Sequence, residues 1–176
     1  MHIGEILRAD CANGEGMRVS VFVSGCTNQC RGCFQPETWD FHYGEPYNEK
    51  WESYILTELA KPHYAGLTIL GGEPFEPENQ NEVAGLVLHV KKELPDKNIW
   101  IYTGFQYDID LMPGGRKYTD YTDSILDNID ILVDGRFELS QKDVSLPYRG
   151  SRNQRIIDVR ESRRSGSVVL SPLNEQ

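Results

Sequence analysis

The sequence predicts an α/β fold, built as an open, partial (β/α) barrel on a mostly parallel sheet. Short apolar runs alternate with amphipathic helical stretches, the pattern of βαβ units. Four of the runs end in glycine or polar residues, where a parallel sheet gathers its ligands. The chain has 176 residues, short of the ~250 that a complete eight-strand barrel usually needs.

The elements follow in order. "MRVSVFVSG" (17–25) alternates and is rich in β-branched residues, so it reads as a strand leading into a cysteine-rich loop. "NEKWESYILTELAKP" (48–62) reads as an amphipathic helix stopped by Pro62. "GLTILGGEP" (66–74) is a buried strand with a double-glycine exit. In 77–95, Val83, Leu86, Val87, Val90 and Leu94 keep helical spacing. "NIWIYTG" (98–104) is a strand, 121–130 a helix, "ILVDG" (131–135) a strand, and "QRIIDV" (154–159) one more. The exits Gly25 with Cys26, Gly71 with Gly72, Thr103 with Gly104, and Asp134 with Gly135 should then face one mouth.

Residues 1–176 are expected to form a single domain. No apolar run approaches the ~20 residues that span a membrane. The N-terminus lacks a signal peptide's basic start and apolar middle, which places the chain in the cytoplasm, where thiols stay reduced. The net charge of −9 argues against a general nucleic-acid binder. Charge is uneven: residues 142–176 hold seven Lys and Arg against four Asp and Glu, the remainder 11 against 23. This basic segment is either a solvated surface or a contact for an anion or a partner.

The stretch "GCTNQCRGCFQPETW" (25–39) holds Cys26, Cys30 and Cys33, three of the four cysteines. Thiolates bind soft metals and iron–sulfur clusters. Three of them on a cubane cluster leave one iron without a protein ligand, and an open metal position usually means chemistry. Gly25, Gly32 and the short spacers suit a loop wrapped closely around such a group. A structural zinc site would need a fourth ligand, such as Cys11 or His42. A redox pair or unconnected buried thiols are the other readings.

Cys26-x3-Cys30-x2-Cys33 resembles the cluster motif of the radical S-adenosylmethionine (SAM) enzymes. The resemblance implies a [4Fe–4S] cluster on the three cysteines, with SAM chelating the fourth iron. Gly71, Gly72, Glu73 and Pro74 resemble that family's glycine-rich strand end, which implies a place for the SAM amino group. "CRGCFQPETW", "ILVDGRF" (131–137) and "RGSRNQRIIDV" (149–159) are similar to segments of the activating proteins of anaerobic (class III) ribonucleotide reductase. This implies a glycyl radical made on the reductase by a 5′-deoxyadenosyl radical, with a low-potential electron donor such as flavodoxin. Asn28 and Gln35 depart from the residues many relatives carry there.

The resemblance also implies further SAM contacts. Gly32 and Phe34 would meet the adenine, and Thr103 would set a strand-end hydroxyl near SAM. Asp134 ends an apolar strand, where a carboxylate is costly unless partnered; it either faces SAM or fixes the turn at Gly135. His2, His42, His63 and His89 are scattered and suggest no hydrolytic triad. "GGRKYT" (114–119) lacks phosphate-loop spacing and reads as an exposed turn. Two other functions stay open: an activase for a different glycyl radical enzyme, or a non-catalytic zinc-binding interaction module.

Overall fold

The computed structural model describes residues 1–175. Its strands are β1 (His2–Asp10), β2 (Arg18–Val23), β3 (Glu45–Pro46), β4 (Gly66–Gly71), β5 (Asn98–Tyr102), β6 (Ile131–Asp134) and β7 (Arg155–Asp158). Its α-helices are α1 (Glu49–Leu59), α2 (Pro77–Glu93), α3 (Thr122–Leu126) and α4 (Val159–Ser165). The strands form one sheet in the order β3-β1-β2-β4-β5-β6-β7.

β2, β4, β5 and β6 pair in parallel. β1 is antiparallel to β2, and β7 to β6. β3 pairs antiparallel with β1, so it shares the direction of β2 and five strands run one way. The sheet does not close on itself. All four predicted strand exits therefore lie along one edge, as the alternation of strands and helices requires.

Side-chain alternation sorts the two faces. Val19, Val21, Leu67, Ile69, Ile99, Ile101 and Leu132 bury against Ile55 and Leu59 of α1, Val83, Leu86 and Val87 of α2, and Ile125 of α3. Each such side chain contributes about 1.5–3 kcal/mol on burial. Asn48 starts α1 by accepting the Lys50 and Trp51 amides, and Pro77 opens α2 at a position where a missing amide is harmless. On the other face, Trp100, Val133 and Ile156 make a smaller cluster with Leu173. Arg18 lies there too, fully buried, donating to Thr68 Oγ1 and to the carbonyls of Glu15 and Leu67.

Several elements differ from expectation. β1 goes unread because its half-buried, interrupted pattern has no clean alternation, and a bulge breaks its register between Leu7 and Asp10. The helix expected over 121–130 is trimmed to Thr122–Leu126, with no side-chain cap at its start. The strand expected over 154–159 is β7, which turns back antiparallel, and α4 follows on the strength of the Asp158 cap rather than of apolar spacing. No helix among the described residues is long and apolar enough to cross a membrane.

Candidate functional site

β2 delivers its chain end into the cysteine loop, and the loop closes on itself. The Gly25 amide donates to the Thr38 carbonyl at 2.8 Å and the Cys26 amide to that of Trp39 at 3.3 Å. Within the loop, the Cys33 amide donates to Cys30 at 3.0 Å, and the Thr38 hydroxyl donates to the Gln35 carbonyl at 2.8 Å. Gly25 sits at φ +98°, and a side chain there would collide with the Phe41 ring. Burial pushes the Cys26 thiol up to about 11, helped by the nearby Glu73 carboxylate and opposed by the Asn28 and Gln29 amides that point at it.

The exit of β4 packs directly on this loop. The Gly72 amide donates to Val23 at 2.7 Å and the Glu73 amide to Gly25 at 2.9 Å. A Cβ on Gly72 would stand 2.8 Å from the carbonyl oxygens of both Gly25 and Thr38. The double glycine is thus required by a close approach of two backbones. Asn79 of α2 reinforces the junction, donating Nδ2 to the carbonyls of Ser24 and Glu73.

Glu73 is 1% exposed, and its carboxylate collects four donors. Oε1 accepts from Thr103 Oγ1 at 2.7 Å and the Phe75 amide at 3.0 Å. Oε2 accepts from the Gly104 amide at 2.7 Å and Asn28 Nδ2 at 3.2 Å. Burial pushes this carboxyl up to about 7, while the Thr103 hydroxyl and the Phe75 and Gly104 amides pull it back. A second buried carboxylate clamps the loop from α2. Glu76 Oε1 accepts the Thr27 amide and hydroxyl at 2.7 and 2.5 Å, and Oε2 accepts Lys117 Nζ at 2.7 Å.

These elements wall one cavity of about 530 Å³ on the face of the sheet opposite the helices. Cys26, Cys30, Cys33 and Phe34 line it from the loop, Gly71, Gly72 and Glu73 from the exit of β4, and Thr103 from that of β5. Gly32 is exposed, Pro74 is buried, and neither is on the wall. Asp134 is fully buried and also off the wall. Its oxygens accept Arg155 Nε at 2.8 Å, Arg155 Nη2 at 2.5 Å and the Tyr107 amide at 2.8 Å. Gly135, its neighbour, reaches the cavity instead.

Other wall residues lie outside the expected SAM contacts. Tyr102, Tyr148, Arg149 and Gln154 arrive from the sheet interior and from the β6–β7 connection. Gln154 shapes that connection, accepting the Gly150 and Ser151 amides and donating to the Gly135 carbonyl. Trp39 Nε1, Tyr102 OH and Arg149 Nε, all on wall residues, are buried without a hydrogen-bond partner. Among the described residues, Glu73 is the only carboxylate on the wall and Arg149 the only cation on it.

The donor set fits an iron–sulfur cluster. Three thiols share one wall, with backbone amides turned toward the Cys26 sulfur. Among the described residues no three His, Cys, Asp or Glu side chains gather as ligands of a single metal ion. A cubane does not ask for that convergence, since each thiolate meets a different iron. Cys11 is exposed and off the wall, and His42 lies out beside Asp40 and His2.

Comparison with known proteins agrees. The family model of the 4Fe-4S single cluster domain matches residues 12–157. Fold and cysteine loop thus define a single-cluster iron–sulfur protein. Curated relatives carry the name anaerobic ribonucleoside-triphosphate reductase-activating protein. The one from Pasteurella multocida (strain Pm70) is 42% identical over 147 residues, 82% of this chain and 89% of its own. That of Escherichia coli (strain K12) is 34% identical over 156 residues, 88% of this chain and 96% of its own. That of Enterobacteria phage T4 is 34% identical over 156 residues, 89% and 93% respectively. The chain belongs to the family of anaerobic ribonucleoside-triphosphate reductase-activating proteins. No solved structure gives a significant match.

Proposed function

We propose that this chain is a radical SAM enzyme that installs a glycyl radical on an anaerobic ribonucleoside-triphosphate reductase. The observation that carries the reading is that Cys26, Cys30 and Cys33 share a cavity with the glycine-rich exit of the neighbouring strand β4. Cys26, Cys30 and Cys33 would hold a [4Fe–4S] cluster whose fourth iron takes SAM. When bound, the cluster supplies one electron to SAM, giving methionine and a 5′-deoxyadenosyl radical that takes a hydrogen atom from a reductase glycine. The electron comes from a low-potential donor such as flavodoxin.

The chain's own residues bind and orient. Gly71 and Gly72 bring bare backbone to the wall, which lets the head group of SAM approach closely. Glu73, with all four donors engaged, fixes that backbone against the exit of β5, and Thr103 acts through it as a positioning residue. Pro74 is buried at this exit, off the wall. Phe34 and the Gly32 backbone flank Cys33 at the place where the adenine would lie. Asp134 sets the Gly135 turn through Arg155 and the Tyr107 amide. The open sheet acts as a partial barrel of the radical SAM type, a single domain whose uncovered cavity admits a protein loop. The cysteine thiols belong in a reducing, cytoplasmic setting.

The test is anaerobic reconstitution with iron and sulfide, reduction with dithionite and addition of SAM. Methionine and 5′-deoxyadenosine should form with the wild-type protein and not with Cys30→Ala. A fully loaded cluster that cleaves no SAM, even with the reductase present, overturns the reading. Zinc bound without acid-labile sulfide would do so as well.

A further inference from the structure

Of the seven cations of the basic segment, Arg149 sits on the cavity wall bonded to Gln154 and Asn174, and the other six divide into two groups. Arg152, Arg155, Arg160, Arg163 and Arg164 are each ion-paired with a carboxylate of the chain, so they form a neutralised surface. Lys142 has no carboxylate partner among the described residues. Its Nζ instead lies 5.3 Å from the centroid of the Phe34 ring. Two further exposed cations without a carboxylate sit on the cysteine loop and just after β6. Arg136 donates to the Asn28 carbonyl, and Arg31 precedes Gly32, against which Leu139 packs.

These residues share the rim of the cavity on the cysteine-loop side, where Phe34 and Phe137 also join its wall. Phe34 is 66% exposed and Leu139 44%, and the Phe34 ring rests on Phe137 with centroids 5.2 Å apart. Arg31, Arg136 and Lys142 are exposed around them. The two segments that build this face, 26–39 and 136–152, carry five Lys and Arg against three Asp and Glu. The rest of the chain carries 13 against 24. A locally positive, part-apolar face on an acidic protein selects an acidic partner and speeds its encounter.

We propose that this face docks an acidic one-electron carrier protein, the partner that reduces the cluster. The inference rests on the radical SAM reading above. Arg31 and Phe34 lie within two residues of Cys33, so a protein seated on this rim comes close to a cluster ligand. The reductase loop, by contrast, has to reach the cavity itself. Electron-transfer encounters bury less than about 1,200 Å², which suits a small apolar patch ringed by cations. One electron leaves the carrier's reduced centre and enters the cluster; the carrier is oxidised by one electron, and no bond or proton moves.

The probe is reduced flavodoxin, and the variant is Arg31→Glu combined with Lys142→Glu. Flavodoxin should bind the metal-free variant about tenfold or more weakly than the wild type, and added salt should weaken wild-type binding far more than variant binding. In the loaded proteins, reduction by flavodoxin should slow by a similar factor, while dithionite, which needs no docking, reduces both equally. Should the double variant fail to fold, Lys142→Ala gives the same comparison with a smaller loss. Unchanged flavodoxin binding overturns the proposal, as does a variant that loses the reductase and keeps flavodoxin. If the loaded wild type reduced by dithionite cleaves no SAM, the radical SAM reading falls instead, whatever the flavodoxin result.

Discussion

Thr103 donates its hydroxyl to Glu73 Oε1 at 2.7 Å, tying the exit of β5 to that of β4 inside the cavity wall. The same hydroxyl accepts the Phe105 amide at 3.0 Å. Thr103→Val removes both at once and leaves a buried carboxylate short of a donor. Unfolding in urea should show a loss of about 2 kcal/mol, with Thr103→Ser close to wild type. Equal losses for both variants would mean that the methyl group matters and the hydroxyl does not.

Glu73 also sets a pH dependence. Its folded value, about 7, lies above the ordinary 4.5, so the folded chain binds this proton more tightly than the unfolded one. Its contribution is therefore complete below the ordinary value and is lost as pH rises toward 7. The loss is at most about 3 kcal/mol, from roughly 1.4 kcal/mol per unit. Metal-free wild type should lose stability over that window, and Glu73→Gln should show a flatter profile whatever its absolute stability. Parallel profiles would mean that the four donors keep Glu73 ionised throughout.

Gly72→Ala puts a methyl group against two backbone carbonyls that cannot swing aside. The two strand exits must then part, at about 1–3 kcal/mol. Cluster content should fall along with thermal stability. Gly85→Ala, where an added Cβ meets nothing within 4 Å, is the matched control and should be neutral or slightly stabilising.

Asp134 and Asp108 both pair with Arg155, but Asp134 is fully buried and Asp108 is partly exposed. Asp134→Ala should destabilise by about 3 kcal/mol, since it removes the buried partner of the Arg155 guanidinium and of the Tyr107 amide. Asp108→Ala should change stability by less than about 1 kcal/mol. A stable Asp134→Ala protein that binds SAM poorly would favour direct contact over positioning.

The sequence makes the parallel heart of the sheet readable, because buried strands such as 66–71 are nearly all apolar and end in glycines with a steric purpose. The cysteine loop is readable for a similar reason: three thiols at short spacing suit a soft metal or an iron–sulfur cluster and little else. The antiparallel flanks are harder. β1 is half-polar and bulged, and β7 pairs backward across a long connection that no local pattern announces. Asp134 ends its strand as expected, yet its partner Arg155 is 21 residues away, and nothing in the spacing shows that pairing. Tyr102, Tyr148 and Arg149 reach the cavity only through the tertiary fold.

The most direct test combines the loaded protein, SAM, a one-electron reductant and the reductase without oxygen, and reads the reductase by electron paramagnetic resonance. The account predicts a glycyl radical signal on the reductase that forms with 5′-deoxyadenosine and vanishes in Cys26→Ala, Cys30→Ala or Cys33→Ala. Cleavage of SAM with no protein radical, or a radical that survives loss of the cysteines, would contradict it.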